Sequence, residues 1–368
     1  MHISSLSIIN FKNIESADVR FAEKVNCFLG NNGAGKTTML DAIYYLAFSK
    51  SFFNPIDSQN IRHDEDLFVI DGEFVLEGEA ERFFCGLKRN DKKKFKRNQK
   101  EYTRLADHIG VLPLVMIAPS DSALIREGSD VRRKFIDGII SQYNRGYLDS
   151  LLQYNRQLAQ RNALLKHFAA EGRVQESSLD VFDEILHELG TSIFEERKKF
   201  LGNYLPIFSN FYELISAGQE EIGIEYDSQL NEKPLIELLR ENRFKDLRAQ
   251  YTTVGIHKDD MNFQIGGYSM KKYGSQGQKK SFVISLRLAQ FDYLKDLKSR
   301  KPILLLDDIF DKLDDQRVAA LMSLVSDDHF GQIFITDANL HRVPDLFKDE
   351  NVPLKKFEVQ NGVINEIG

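Results

Sequence analysis

The spacing of apolar residues changes along the chain, and each change predicts a different kind of element. Residues 1–29 carry short alternating runs, and residues 67–98 are rich in β-branched and aromatic side chains interrupted by Asp71-Gly72 and Glu77-Gly78. Such spacing, with glycine-containing breaks, is typical of antiparallel strands joined by turns. Three further runs are almost entirely apolar, as in buried strands: Val25–Leu29, Val111–Ala118 and Ile303–Leu306.

Between residues 147 and 200 the period becomes helical. Apolar side chains follow a 4-3 pattern from Tyr147 to Phe168, interrupted at Arg161, and a second helical pattern runs on to Phe200 after a polar stretch. This predicts a hairpin of two helices, each of roughly 25–30 residues and about 40 Å long. Its apolar stripes are expected to be core contacts, and residues 205–250 give no clear pattern.

A glycine-rich segment after the first buried strand matches G-x-x-x-x-G-K-[ST], the phosphate-binding loop of nucleotide hydrolases. Its residues are Gly30, Asn31, Asn32, Gly33, Ala34, Gly35, Lys36 and Thr37. A predicted helix follows, with one apolar face formed by Met39, Ala42, Ile43 and Leu46. The order of strand, loop and helix lets backbone N–H groups and the helix N-terminus converge on phosphate oxygens. Lys36 is predicted to hold the β- and γ-phosphates of ATP and Thr37 to ligate Mg²⁺. The alternative is a glycine-rich turn that binds nothing.

A second pair of candidate residues ends the strand at 303–306. Asp307 and Asp308 follow an apolar run directly, which is the Walker B pattern of nucleotide hydrolases. Asp307 is predicted to orient the Mg²⁺ shell, and Asp308 to polarise the attacking water, with Lys36 as the other catalytic residue. A buried strand that simply ends in solvated carboxylates is the competing interpretation.

Composition sets the limits for the partners. The 368 residues, 42% hydrophobic and 28% charged, are those of an ordinary globular protein. We expect no membrane segment and no secretory signal, because no apolar run nears the roughly 18 residues that span a bilayer. The two cysteines, Cys27 and Cys85, fit a reducing cytoplasmic setting. The net charge of −6 means that any contact with nucleic acid needs a local basic patch.

One such patch lies at residues 88–100, where Asp91 is the only acid among many lysines and arginines. A protruding basic hairpin would neutralise DNA phosphates and make binding dependent on salt. The candidate DNA contacts are Lys92, Lys93, Lys94, Lys96 and Arg97. A solvated edge hairpin, whose lysines prevent pairing between edges, explains the same composition, and the sequence leaves both interpretations open.

A second glycine-containing loop precedes a predicted helix about 25 residues before the Walker B strand. It contains Ser275, Gln276, Gly277 and Gln278. Ser275 is a plausible N-cap, and the exposed N–H groups of a helix start attract anions. With the Walker motifs, this loop resembles the signature motif of ABC-type ATPases, which contacts the γ-phosphate on a partner protomer. Asp314 resembles the D-loop aspartate, and Asp337 stands where a switch histidine is usual.

Taken together, the chain resembles the RecF family of bacterial recombination-repair ATPases almost from end to end. The matching residues are Asn10–Asn13, the phosphate loop extended to Thr38, Ala118–Asp121, Arg132–Asp137, Tyr154–Asn162, Gly255–Asp260, the signature loop and Leu305–Asp308. The departures from the family pattern are Ile256 for a proline and Phe53 and Lys258 for arginines.

The resemblance implies an α/β fold, a Rad50/ABC-type P-loop ATPase head with a mixed sheet and an inserted α-helical lobe. The head would be residues 1–120 and 250–368, and the helical insertion residues 121–249. The family also implies an ATP-dependent homodimer on duplex DNA or gap junctions, slow hydrolysis, and cooperation with RecR and RecO to load RecA at single-strand gaps. Asp308 is shorter than the glutamate common at this position, which favours a switch over a motor.

Three other interpretations compete. A head of the structural-maintenance class needs a far longer coiled-coil insertion than the roughly 130 residues present here. A phosphotransferase would have no use for the loop at Ser275. A DNA clamp with a vestigial nucleotide site would not need Lys36, Thr37, Asp307 and Asp308 together.

Overall fold

The computed structural model describes residues 1–172, 174–216, 218, 220–309, 317–318, 329–339 and 353–367, and structural statements concern these residues. They form two compact units. Unit 1 comprises Met1–Ser122, Leu214–Gly218 and Lys280–Gly368, and unit 2 comprises Ala123–Glu213 and Gln219–Lys279. Among the described residues no helix is both long and apolar enough to cross a membrane.

The strands are β1 (His2–Phe11), β2 (Ile14–Arg20), β3 (Val25–Leu29), β4 (Leu67–Leu76), β5 (Glu79–Lys88), β6 (Lys94–Arg97), β7 (Lys100–Glu101), β8 (Leu114–Ile117), β9 (Ile222–Asp227), β10 (Asp260–Ile265), β11 (Tyr268–Ser269), β12 (Ile303–Asp307), β13 (Ile333–Asp337), β14 (Leu354–Gln360) and β15 (Val363–Ile367). The α-helices are α1 (Lys36–Phe48), α2 (Ala123–Arg126), α3 (Ser129–Tyr143), α4 (Arg145–Glu171), α5 (Glu176–Ser216), α6 (Leu235–Glu241), α7 (Arg243–Ala249), α8 (Met270–Tyr273) and α9 (Gln276–Lys298).

Unit 1 contains two sheets with α1 packed against both. The first is antiparallel, in the order β2-β1-β4-β5-β6-β7. The second has the order β15-β14-β3-β13-β12-β8, in which only β15 runs antiparallel to its neighbour. The mixed sheet and the predicted antiparallel hairpins are thereby confirmed.

The predicted apolar face of α1 is also confirmed, because Met39, Ala42, Ile43 and Leu46 are fully buried between the two sheets. On the mixed sheet, Phe28 stacks on Phe334 and Phe357, with ring centroids 6.3 Å and 5.2 Å away. These rings lie on three adjacent parallel strands, and Phe21 meets each of them edge-on. This aromatic cluster fixes the strands whose carboxyl ends carry the candidate site.

Unit 2 is built on the predicted helical hairpin, but its second arm is longer than expected. Helix α4 has 27 residues, whereas α5 has 41 and continues through Pro206. The apolar stripe does not stop at Phe200, since Tyr204, Phe208 and Tyr212 are also buried. The prediction of 25–30 residues was wrong for this arm, because the buried stripe continues beyond Phe200 and the helix runs on through Pro206.

The second boundary between the units also differs from the sequence-based expectation. Residues 250–279 belong to unit 2, so the boundary lies at 279/280 and not at 249/250. The reason is strand pairing at long range, because β10 pairs with β9 along its whole length. In addition, the guanidinium of Arg132 donates to both carboxylate oxygens of Asp260, at 2.7 and 2.9 Å.

The interruption of the apolar stripe at Arg161 marks a buried ionic cluster. The Arg161 side chain is fully buried and donates to Asp183 at 2.8 Å, to Asp246 at 2.7 Å and to Thr252 at 2.9 Å. Both carboxylate side chains have no exposed surface. One arginine on α4 therefore joins α5, α7 and the loop that follows α7.

Replacing Arg161 by alanine should destabilise the protein strongly, because two buried carboxylates lose a cation that no water replaces. We expect the free energy of unfolding to fall by about 3–5 kcal/mol, measured by urea denaturation. The control is Arg240→Ala, which removes an ion pair to Glu184 whose side chains are both more than half exposed. That change should cost less than about 1 kcal/mol. Similar losses for the two variants would contradict a special role for the buried cluster.

Candidate nucleotide-binding site

The phosphate loop lies between β3 and α1 in unit 1, as predicted. Gly30 sits so close to β14 that a Cβ atom would stand 2.3 Å from the carbonyl oxygen of Val359. Gly35 caps the start of α1 at φ +119°, a conformation that disfavours any side chain. These two positions explain why the loop needs glycine.

Lys36 is folded back into this loop. Its ammonium group donates to the carbonyl oxygens of Gly30 at 2.8 Å and Asn31 at 3.1 Å, and the residue is only 3% exposed. The loop thus holds a buried cation at its centre through carbonyl groups alone. The Lys36 ammonium can leave these carbonyl oxygens when phosphate oxygens are present, because its hydrogen bonds to charged phosphate oxygens are stronger.

Asp307 joins three segments of the chain at the carboxyl end of β12. Its Oδ1 accepts the hydroxyl of Thr37 at 2.8 Å and the hydroxyl of Thr336 at 2.9 Å. Burial raises the pKa of Asp307, and the two hydroxyl hydrogen bonds partly oppose that rise. A buried carboxylate beside a threonine hydroxyl is a pair of hard oxygen ligands, the kind that Mg²⁺ prefers.

Asp308 follows in an unusual backbone conformation, at φ +44°. Its N–H group donates to the Thr336 hydroxyl at 2.9 Å, which helps to hold this conformation, and the residue is partly exposed. The Asp308 side chain lines a cavity of about 440 Å³. Other residues that line this cavity are Lys12, Asn13, Asn32, Gly33, Gly35, Lys36, Thr37 and Thr38. The structure therefore brings the phosphate loop and the second carboxylate together.

Asn13 is a site residue whose role no sequence motif indicated. Its amide nitrogen donates to the Gly33 carbonyl at 3.2 Å, and its amide oxygen accepts the Thr38 hydroxyl at 2.6 Å. Beside it, the Lys12 ammonium lies 2.5 Å from the buried Asp41 carboxylate on α1. Asn13 thus ties the β1–β2 turn to the middle of the loop and to the first turn of α1. Only its place in the family-like Asn10–Asn13 segment pointed to it.

The switch position after β13 holds no histidine. Asp337 is buried, accepts the N–H of Asn339 at 2.8 Å through its side chain, and accepts the N–H of Gly30 at 3.3 Å through its carbonyl. Asp121, the last residue of the family-like segment Ala118–Asp121, accepts the Ala118 N–H at 3.0 Å and pairs with Arg287. The D-loop candidate Asp314 lies outside the described residues.

The signature loop lies in unit 2, at the start of α9. The Ser275 hydroxyl accepts the Gln278 N–H at 3.2 Å, and the Gln278 side chain accepts the Ser275 N–H at 2.6 Å. This reciprocal pair is a capping box, in which the serine and the residue three positions later satisfy each other's backbone groups. The predicted N-cap role of Ser275 is confirmed. Gln276 and Gly277, the first residues of α9, complete the loop.

The basic stretch is a hairpin of β5, β6 and β7, and its cations are not equivalent. Lys93 is largely buried and donates to Asp57 at 2.7 Å and to the Ser49 carbonyl at 2.5 Å. Arg97 makes a two-pronged contact with the Glu81 carboxylate. Lys92 and Lys94 are exposed, and the Lys96 ammonium lies over the Phe84 ring at 5.6 Å. Two of the five candidate cations are thus engaged in ion pairs within the protein, and a third lies over an aromatic ring.

Comparison with known proteins places the chain in a family. The family described as the RecF/RecN/SMC N terminal domain matches residues 2–364. The chain is 49% identical to a DNA replication and repair protein RecF of Bacteroides thetaiotaomicron, over 100% of this chain and 99% of that protein. The chain belongs to the RecF family. The resemblance read from its motifs is thereby confirmed.

Solved structures agree with this assignment. A structure of the recombination mediator protein RecF-ATP in the RecFOR pathway superposes with a TM-score of 0.89 at 30% identity, over 100% of this chain and 98% of that one. The Smc head domain of Pyrococcus furiosus superposes with a TM-score of 0.58 at 16% identity, over 100% and 96% of the two chains. The second similarity shows a shared fold and confirms the predicted fold class.

Thr336→Val should weaken the site without changing the shape of the side chain. The Asp307 carboxylate would lose one of its two hydroxyl donors. The Asp308 N–H would lose the hydroxyl oxygen that accepts its hydrogen bond. Removing such a supporting hydrogen bond costs about 10- to 100-fold in metal affinity or activity. We therefore expect ATP affinity with Mg²⁺ to fall about tenfold or more, and affinity in EDTA to change less than about twofold, by fluorescent-nucleotide titration.

The matched control is Thr253→Val. The Thr253 hydroxyl donates to the Asp246 carboxylate at 2.7 Å, so this variant loses the same kind of hydrogen bond within unit 2. It should leave ATP affinity unchanged with and without Mg²⁺. If Thr336→Val bound Mg²⁺ and ATP like the wild type, the hydroxyl would have no part in positioning Asp307.

Proposed function

We propose that this RecF-family chain is an ATP-gated DNA-binding switch in bacterial replication and recombinational repair. The observation that carries the proposal is that one chain contains two complementary phosphate-binding elements. Unit 1 holds the loop around Lys36, and unit 2 holds the capped helix start at Ser275. The names of the relatives, for DNA replication and repair, support the cellular role, which would place the protein in the bacterial cytoplasm.

In the proposed complex, ATP occupies the cavity between the phosphate loop and Asp308. Lys36 exchanges its contacts with the loop carbonyls for the β- and γ-phosphates. The loop N–H groups and Asn13 position the triphosphate of ATP. Thr37 and Asp307 supply oxygen ligands for Mg²⁺, which would neutralise phosphate charge when bound. The solved RecF-ATP structure, at 30% identity, supports ATP as the nucleotide.

The signature loop acts on the nucleotide of a second copy of the chain. Within the capping box, the Ser275 hydroxyl accepts one hydrogen bond and keeps its own proton to donate. A phosphate oxygen of a partner's ATP is a suitable acceptor, and the first N–H groups of α9 favour the same anion. ATP then links two protomers, and the dimer gains stability by mass action as ATP binds.

Hydrolysis in this arrangement is slow and serves to reset the switch. Asp308 is the residue proposed to orient the attacking water, because its side chain lines the cavity beside Lys36 and Thr37. Its carboxylate is one methylene shorter than the glutamate common at this position in ABC-type ATPases. A longer reach to the water lowers the efficiency of proton transfer, since general-base catalysis depends on hydrogen-bond distance.

Duplex DNA and gap junctions are the proposed nucleic-acid ligands, and RecO- and RecR-type mediators the proposed protein partners through which RecA is loaded at gaps. The exposed lysines of the basic hairpin provide the local positive charge that a protein of net charge −6 requires. Lys93 and Arg97 are given a different role, because their ion pairs hold the hairpin in place. The phosphate contacts are assigned to Lys92, Lys94 and Lys96.

The in-trans arrangement predicts opposite defects for two variants. Lys36→Ala should lower ATP affinity at least about tenfold, because the buried ammonium is the main cation of the loop. Ser275→Arg should abolish ATP-dependent dimerisation and keep ATP affinity within about twofold, since that serine serves only the partner's nucleotide. Sedimentation velocity with ATP and duplex DNA measures dimerisation, and nucleotide titration measures ATP affinity. A wild-type protein that stays monomeric under these conditions would refute the proposal.

For DNA binding, the triple variant Lys92→Glu, Lys94→Glu and Lys96→Glu should lower duplex affinity and reduce the slope of log affinity against log salt. Loss of three phosphate contacts changes that slope by about 3. The control is Lys166→Glu with Lys245→Glu, two exposed lysines of unit 2. Fluorescence anisotropy at four salt concentrations gives both slopes. If the slope of the triple variant were unchanged, the hairpin would not contact DNA, and its lysines would serve only to solvate the sheet edge.

A further inference from the structure

Two tyrosines stand exposed beside the signature loop. Tyr268 on β11 is 64% exposed and Tyr273 at the end of α8 is 68% exposed. Their rings contact each other edge to face, with centroids 5.5 Å apart and planes at 61°. Lys271 and Lys272 between them are also exposed. The four residues, here called the tyrosine patch, form an apolar and cationic surface within the six residues that precede the glycine before Ser275.

The patch is held rigidly by the packing that also fixes the signature loop. β10 and β11 form a hairpin through Gly266 and Gly267, both at positive φ, as tight hairpin turns require. Met270 is fully buried beneath the patch. A Cβ atom on Gly274 would stand 2.4 Å from the Met270 sulfur, so the chain passes directly over that anchor on its way to Ser275. The backbone that carries the two tyrosines is therefore joined to Ser275 through a buried anchor.

Exposed tyrosines in this arrangement have the properties of interface anchors. A tyrosine buries a large area on association and has few rotatable bonds to immobilise, which is why tyrosine is enriched among binding hot spots. Here the two rings already restrict each other, so still less freedom is lost. The neighbouring lysines favour a surface that carries negative charge, such as one that presents a bound nucleoside triphosphate.

We propose that the tyrosine patch is the docking anchor for a second copy of the chain, at the face where that copy carries its ATP. The inference rests on the proposed function, because it takes from it that Ser275 reaches a partner's nucleotide. Tyr273 lies two residues before Ser275, so a partner that brings its γ-phosphate to Ser275 also covers the patch. Lys271 and Lys272 then face the anionic rim of the partner's nucleotide site, and the tyrosine rings exclude water from the contact.

The same unit offers a matched control surface. Phe244 on α7 is 73% exposed and Tyr251 in the loop after it is 48% exposed, and each ring lies beneath a cation, Arg248 or Lys258. This second pair also combines two exposed aromatic rings with cations, but it belongs to a different part of unit 2. If exposed aromatics with cations merely promoted association, both surfaces would contribute to dimerisation.

The test compares ATP-dependent dimerisation of full-length variants by sedimentation velocity. Tyr268→Ala with Tyr273→Ala should raise the dimer dissociation constant about tenfold or more, as expected for two hot-spot residues. Tyr268→Phe with Tyr273→Phe should dimerise nearly as the wild type, because the rings remain. Phe244→Ala with Tyr251→Ala should dimerise like the wild type. ATP affinity of all monomers should stay within about twofold, since the phosphate loop is untouched.

A labelling experiment gives a second measurement that does not depend on tyrosine truncation. The native Cys27 and Cys85 are both buried, so Tyr273→Cys adds one accessible thiol. Maleimide should label this thiol readily without nucleotide and at least about fivefold more slowly with ATP and Mg²⁺, and adding Ser275→Arg should restore fast labelling.

The outcomes separate this inference from the proposed function. No ATP-dependent dimer of the wild type, or a dimer unaffected by Ser275→Arg, would overturn both. A wild-type dimer that depends on Ser275 but not on the tyrosines, with a thiol at position 273 that ATP leaves unprotected, would overturn the docking anchor alone. Loss of DNA affinity in the double alanine variant with an unchanged dimer constant would assign the patch to DNA and also overturn it.

Discussion

One carboxylate oxygen holds the nucleotide-binding site together. Oδ1 of Asp307 accepts hydroxyl hydrogen bonds from Thr37 on α1 and from Thr336 on β13, while Asp307 itself ends β12. Three segments that are distant in sequence therefore meet at one atom, at the carboxyl edge of the parallel strands. The N–H of Asp308 then closes on the same Thr336 hydroxyl, which sets the direction of the second carboxylate. The position of each reactive group follows from this junction.

The junction carries a cost in stability that depends on pH. Burial raises the pKa of Asp307, so the folded protein holds this proton more tightly than the unfolded chain does. The stabilisation that the protonated carboxyl gives is complete at low pH, and it is lost as the pH rises through the raised pKa. The ionised carboxylate is therefore the form that folding disfavours, and a bound cation would stabilise that form. Ionisation of Asp307 thus favours binding of a metal–nucleotide complex and lowers the stability of the protein without that complex.

The sequence revealed those parts of the site that lie within one continuous segment. The phosphate loop, the paired carboxylates and the capped helix at Ser275 each combine a local pattern with a local conformation, and local patterns are what periodicity and capping rules describe. The structure adds contacts between distant segments. Asn13 bonds Thr38 across 25 positions, and Lys93 bonds Asp57 across 36. No spacing rule covers such pairs, because they depend on how strands align.

The difference between local patterns and distant contacts also explains why Arg161 only interrupts the apolar stripe in the sequence, although its side chain joins several elements of unit 2. A stripe describes one helix, whereas the partners Asp183 and Asp246 come from two others. It also explains the two corrected features, the length of α5 and the boundary at 279/280. Both were set by packing and strand pairing with segments far along the chain. Local propensity is a weak guide where tertiary contacts decide an element's end.

The helical insertion has a structural task beyond separating two halves of an ATPase head. Gln278, which completes the capping box with Ser275, donates its side-chain amide to Glu220 at 2.7 Å, and Glu220 accepts the hydroxyl of Tyr212 on α5. The loop at Ser275 is therefore held from the far end of the helical hairpin as well as from its own helix. A serine that must meet a phosphate on another molecule gains from such support, because binding groups fixed in advance lose little entropy on association. The insertion thus supplies rigidity at the point where, in the proposed function, one copy of the chain completes the site of another.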